Sequence, residues 1–174
     1  SEMRNIDRVV VLINECKKMA IDVKAPDLNI SFEDFRPIDN KSISYGLNAI
    51  KNVGAKALET IIAERKENGP YETIFDLCSR VDQQKVNKRV LESLIMSGSL
   101  DSIQGSRAEQ FLSVDDAIKY GQQMQSETNR NQVDLFGSKN DQSDLIKVPV
   151  LQSAKDWSEK EALKKEAEVL GLYV

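Results

Sequence analysis

Over residues 3–20 apolar side chains recur at three- and four-residue spacing, with Ile6, Val9, Val10, Ile13, Cys16 and Met19 or Ala20 on one side, which predicts an amphipathic helix. The β-branched run Val9-Val10-Val11 has low helix propensity, so packing has to hold it. Short alternating stretches follow. Ile21-Asp22-Val23, Ile30-Ser31-Phe32 and Ser42-Ile43-Ser44-Tyr45 read as strands, with turns at Arg36-Pro37 and Asp39-Asn40.

From Tyr45 to about Ile103 the period becomes helical. Ile50-Lys51-Asn52-Val53-Gly54-Ala55-Lys56 separates two helix-periodic segments. In the second of these Ala57, Leu58, Ile61 and Ile62 make one apolar face. This predicts a helix-hairpin-helix, with Gly54 supplying a positive-φ turn and the first amides of the next helix left to face a phosphate. After a break at Asn68-Gly69-Pro70 the spacing predicts a short helix over 74–80, a loop over 81–86, Asn87 as N-cap, a helix over 88–96, and Gly98 as its left-handed C-terminal cap. Helix, polar turn, helix thus occurs twice. The candidate phosphate-binding residues are Lys51, Val53, Gly54, Ala55 and Lys56 at the first bend, and Lys85, Asn87, Lys88 and Arg89 at the second, which has no glycine.

Ser106-Arg107-Ala108-Glu109 is a capping-box pattern opening one helix to about Met124. Gln122 to Asp144 is rich in Gln, Asn, Ser and Asp, too polar to repay ordering entropy by itself, and reads as a mobile linker. Inside it stands Gln132-Val133-Asp134-Leu135-Phe136. An adjacent Leu and Phe in a solvated tract suit a short docking motif, each able to bury about 1.5–3 kcal/mol of side chain in a partner's pocket. A second box, Ser158 to Glu161, opens a last helix with Leu163, Ala167 and Leu170 on one side and Trp157 at the position of a hydrophobic staple.

Composition then narrows the chemistry. The 174 residues contain no histidine, which removes the usual zinc ligand, the usual near-neutral base and every His-containing triad. Cys16 and Cys78 are predicted to be buried free thiols. The net charge is −4, yet residues 41–89 carry nine Lys and Arg against six Asp and Glu, a local +3 within a remainder of −7. A mildly basic module inside an acidic chain fits a modest phosphate-binding surface. Asp115 and Asp116 are adjacent on a helix, so they diverge by about 100° and suit a solvated face better than a magnesium site. No run reaches about 18 apolar residues, and Arg4, Asp7 and Arg8 stand where a secretory apolar stretch would begin. A cytoplasmic protein without membrane contact is expected.

Asn14-Glu15-Cys16-Lys17-Lys18-Met19, Ala25-Pro26-Asp27-Leu28-Asn29, Tyr45-Gly46-Leu47-Asn48-Ala49-Ile50-Lys51-Asn52-Val53-Gly54, Phe75-Asp76-Leu77-Cys78, Val86 to Glu92, Ile95 to Gly98 and the closing Leu170-Gly171-Leu172-Tyr173-Val174 together resemble the class C replicative polymerases, the alpha subunits of bacterial DNA polymerase III. The resemblance covers most of the chain. It implies a fragment: the end of the fingers over 1–44, a tandem helix-hairpin-helix domain gripping duplex DNA over 45–121, a flexible linker over 122–144 whose pentapeptide Gln132 to Phe136 is similar to the internal sliding-clamp-binding motif, and a helical segment over 145–174 leading to an OB-fold region. That family's first hairpin usually carries Gly where Asn52 stands, and Asn tolerates the left-handed conformation.

The expected fold is therefore mainly α, with a small β element after the first helix. The partners implied are primer-template duplex, the sliding clamp and, through the parent, the other polymerase III holoenzyme subunits. The parent's palm aspartates, which use Mg²⁺ for nucleotidyl transfer, have no counterpart here, so the chain itself is expected to hold no cofactor and to have no catalytic residue. Two other readings remain open from the residues: a protein-interaction module whose hairpins are only architecture, and a nuclease or ligase accessory built on the same hairpins.

Overall fold

A computed structural model of the chain describes residues 2–133 and 146–170, with side chains for 7–131 and 146–170. Among the described residues it is mainly helical, with a three-stranded sheet. The order is α1 (Glu2–Lys18), β1 (Asp22–Lys24), β2 (Arg36–Asp39), β3 (Ser42–Ser44), a 3-10 turn (Leu47–Ala49), α2 (Ala55–Asn68), α3 (Ile74–Arg80), α4 (Lys88–Met96), α5 (Arg107–Leu112), α6 (Val114–Val133) and α7 (Glu159–Leu170). No described helix is long and apolar enough to cross a membrane.

The sheet order is β1-β3-β2, β3 pairing parallel with β1 and antiparallel with β2. Two strand expectations need correction. Ile30-Ser31-Phe32 is not a strand, because Asp27 closes a turn over it: its carboxylate accepts from the Asn29 amide at 2.8 Å, its carbonyl from Ser31 at 2.8 Å, and its own amide donates to Ser31 Oγ at 2.9 Å. The strand lies instead over Arg36–Asp39, where the sequence suggests a turn at Arg36-Pro37; Pro37 is tolerated because β2 is an edge strand. The turn at Asp39-Asn40 is present, with the Lys41 amide donating to Asp39 Oδ1 at 2.7 Å.

Local signals place the central helices well. Helix α3 starts at Thr73, whose hydroxyl accepts from the Asp76 amide, α4 starts at Asn87, and Gly98 is left-handed at φ +81°. Leu58, Ile61, Ile74, Phe75, Leu91 and Leu94 from α2, α3 and α4 share one buried core. The helix expected from Ser106 to about Met124 breaks at Ser113. Its capping box is present, but the Ser113 hydroxyl is taken by the Gln152 amide at 2.8 Å, where the later chain crosses.

Helix α6 then continues to Val133, so residues 122–133 are helical rather than the linker their composition suggests. One of the polar side chains that argue against order is anchored: Gln125 Nε2 donates to the carbonyls of Cys78, Ser79 and Val81, capping the end of α3. A Cβ at Gly121 would collide with the Cys78 carbonyl, which shows how closely α3 and α6 approach. In α7 Leu170 of the expected apolar side is buried, Leu163 and Ala167 are half-buried, and Glu166 and Val169 are buried beside them; Trp157 packs edge-on against Phe111 at 5.6 Å. Cys78 is buried, and burial pushes its thiol up to about 12. Cys16 is free but only half-buried, contrary to expectation.

Candidate nucleic-acid interface

The first bend has a shorter entry than its sequence suggests. Its first arm is the single 3-10 turn Leu47–Ala49, not a full helix. The Leu47 and Asn48 amides donate to Phe32 and Glu33 carbonyls at 2.9 Å each. A Cβ at Gly46 would stand 2.6 Å from the Phe35 nitrogen, so this arm is pinned to the preceding loop instead of winding further.

The residue that reverses the chain is Asn52, at φ +68°. Gly54 is extended, at φ −86° and ψ 163°, so the expectation that it supplies the positive-φ turn is corrected. Asn can take this role because its short polar side chain lowers the left-handed penalty; here that side chain donates to Ser93 Oγ of α4 at 3.1 Å. Gly54 serves as N-cap of α2. It is exposed, and a Cβ built on it meets nothing within 4 Å. Neither backbone conformation nor internal packing calls for glycine at this position.

Among the described residues the amides of Gly54, Ala55 and Lys56 find no acceptor, whereas those of Ala57 and Leu58 return to the Gly54 carbonyl at 3.1 and 3.2 Å. Three unpaired amides at a helix start form an anion-attracting end. Ala55 and the flanking Lys51 and Lys56 are exposed. Val53 is buried at 5 % exposure and anchors the bend from below. The Lys51 amide is already committed, donating to the Val169 carbonyl of α7 at 2.8 Å. Only the Lys51 side chain remains for a ligand.

The second bend joins α3 to α4. Asn87 is exposed, and its Oδ1 accepts from the Val90 amide at 3.1 Å, closing part of the helix end that the first bend leaves open. Lys85, 3.9 Å from Asp82, is exposed. Lys88 pairs with Asp115 of α6 at 3.0 Å, and that hydrogen bond and charge hold its ammonium above the usual lysine range. Arg89 is exposed and makes no ion pair among the described residues. It precedes Ser93 by four residues, on the same face of α4, so the Asn52–Ser93 bond sets Arg89 one helical turn from the anchor of the first bend. Sequence reasoning does not single out Ser93; a small polar residue four positions after an exposed arginine is the available signal.

Gln132 and Val133 lie at the end of α6, their side chains not described, and Asp134, Leu135 and Phe136 lie outside the described residues. Among the described residues no three His, Cys, Asp or Glu side chains converge as a metal requires. Asp115 turns to Lys88, while Asp116 accepts from Gln152 Nε2 at 2.6 Å. These residues do not fit the polymerase magnesium site, and no nucleotidyl-transfer step is assigned to them.

The family model described as a helix-hairpin-helix motif matches residues 20–110, just over half of the chain. The whole chain aligns with proteins called DNA polymerase III subunit alpha: at 40 % identity in Vibrio cholerae, and at 38 % in both Pasteurella multocida and Escherichia coli. It spans about 15 % of the length of each of these relatives. With two capped helix starts on one core and this similarity, the chain belongs to the helix-hairpin-helix family, and along its entire length it is similar to one segment of bacterial DNA polymerase III alpha subunits.

Proposed function

We propose that this chain holds the backbone of duplex DNA at its two bends, without reading sequence, as one segment of a longer replicative polymerase. The observation that carries the reading is the open N-cap at Gly54, where three amides without an acceptor among the described residues, flanked in sequence by the exposed Lys51 and Lys56, meet a glycine that nothing inside the fold requires. A phosphate oxygen accepting from these amides would need the space that a Cβ would fill. Lys85, Lys88 and Arg89 supply charge at the second bend, where Asn87 has already taken one amide.

The longer protein would be a DNA-directed DNA polymerase of the cytoplasm, its Mg²⁺-dependent chemistry residing outside this segment. Gln132 to Phe136 would tether it to the sliding clamp, keeping the polymerase on its template. Support for the tether is the resemblance of that pentapeptide alone. The boundaries proposed for these roles are 45–121 for DNA and 122–144 for the clamp.

A second reading, an architectural helical module with no DNA affinity, draws on the acidic net charge and on the Lys88–Asp115 pair, which neutralises one of the expected phosphate ligands. Salt separates the two. Titrating the intact chain with labelled duplexes of two unrelated sequences should give equal affinities, with log K falling against log salt by about 0.9 per phosphate neutralised. No measurable binding at low salt would favour the architectural reading, and a strong preference for one sequence would contradict backbone gripping.

A further inference from the structure

We propose that the DNA path does not end at the second bend but continues along α6, in a polar trough closed on its far side by Ile146 and Lys147. The inference rests on the backbone-gripping reading and extends it to residues that lie mostly beyond the matched hairpin region.

Two cavities carry it. One, of about 390 Å³, opens beside the second bend and is lined by Asn87, Lys88, Gln122 and Gln125 among others. The other, of about 660 Å³, is lined by Lys119, Gln122, Gln123, Ser126, Arg130 and Lys147 among others. Gln122 borders both, so the two adjoin at α6, beside the α4 start. Lys119, Gln122 or Gln123, Ser126 and Arg130 recur at three- and four-residue spacing, one polar stripe on α6. From Lys119 to Arg130 that stripe covers about 16 Å at the helical rise per residue.

The chemistry along it is that of a sugar-phosphate rail. Side-chain amides and a hydroxyl accompany Lys119, Arg130 and Lys147, with Lys88 already paired to Asp115, against two lining carboxylates, Asp82 and Glu127, the latter 3.8 Å from Arg130. Cations with amide and hydroxyl donors are the groups that contact phosphate oxygens. Among the described residues no aromatic ring lines either cavity, so they offer no platform on which single-stranded bases would stack. The ligand class is therefore a duplex backbone.

The test uses the intact chain and a labelled duplex in a salt series, comparing wild type with Lys119→Glu/Arg130→Glu, with Lys147→Glu, and with Lys119→Arg. All three residues are exposed, and thermal unfolding checks that each variant folds. The double reversal should weaken duplex binding about tenfold or more at fixed salt and flatten the log K against log salt slope by about 0.9 for each phosphate no longer neutralised, with Lys147→Glu acting in the same direction and Lys119→Arg close to wild type. If both reversals leave affinity and slope unchanged while Lys51→Glu/Lys56→Glu abolishes binding, the trough is off the DNA path and the hairpin reading stands alone. If wild type binds no duplex at all, both readings fall. If the reversals weaken capture by a sliding clamp and spare DNA, the trough is a protein contact and the proposal is overturned.

Discussion

Asn52 Nδ2 donates to Ser93 Oγ at 3.1 Å, joining the bend of the first hairpin to the second helix of the other. The same residue sits at φ +68°, so one side chain both permits the reversal and fixes its place against α4. Asn52→Ala should cost about 1–2 kcal/mol for the left-handed backbone and about 0.5–1.5 kcal/mol for the bond in denaturant unfolding. Asn52→Gly should lose only the second part. Equal destabilisation by the two would contradict the division.

Gly54 offers a cleaner separation of stability from binding. Its backbone is extended and its Cβ position is open, so Gly54→Ser should fold normally and gain a few tenths of a kcal/mol as an N-cap. The new hydroxyl would occupy the amides proposed for phosphate. Duplex affinity should fall about two- to fivefold, the size of about 0.3–1 kcal/mol of helix-end attraction. A variant that is as stable as wild type and binds DNA as well would show that this end is not used.

The tether is testable apart from the hairpins. Replacing Leu135 and Phe136 together with Ala should weaken capture by a bacterial sliding clamp at least a hundredfold, since each apolar side chain is worth about 1.5–3 kcal/mol when buried. Duplex affinity should not change. Clamp binding that survives the double variant would remove the pentapeptide from the account.

Helix α7 closes the first bend through Val169, and its docking carries a charge. Glu166 is nearly buried, 3.6 Å from Arg107, which is itself held by Asp101 at 2.7 Å. Burial pushes the Glu166 carboxyl above the usual carboxylate range, with Arg107 opposing it. An acid whose folded pKa is raised stabilises the fold only while protonated in both states, and that contribution is lost as pH rises from the ordinary carboxylate value through the raised one. Unfolding free energy from this residue should therefore fall slightly over that window, and Glu166→Gln should erase the decline. An increase in stability across the same window, abolished by the variant, would mean that the ion pair outweighs burial.

What the residues alone reveal depends on the range of the forces involved. Helices α3 and α4, the Ser106–Glu109 box and the Gly98 cap follow from neighbours in sequence, and each is legible there. The ordered α6 beyond Gln122 meets carbonyls at the end of α3, and the Ser113 hydroxyl at the helix break meets the Gln152 amide, partners distant in sequence. Local composition cannot foresee those partners. The first bend mixes the two: its position is plain, but residue type points to Gly54 as the left-handed residue, whereas the contact with Ser93 selects Asn52. Of the site, the exposed cations are legible one by one. That Lys88 and Arg89 share α4 with the first bend's anchor is not, nor is the commitment of Lys88 to Asp115.

Whether the open bends hold a phosphate backbone can be read from backbone amide resonances of the labelled chain while duplex DNA is added at low salt. Backbone gripping at the bends predicts the largest shifts at Gly54, Ala55 and Lys56, with a second set at Lys88 and Arg89, all reversed by salt. Resonances there that stay unmoved at saturating duplex, with shifts elsewhere or none, would contradict it.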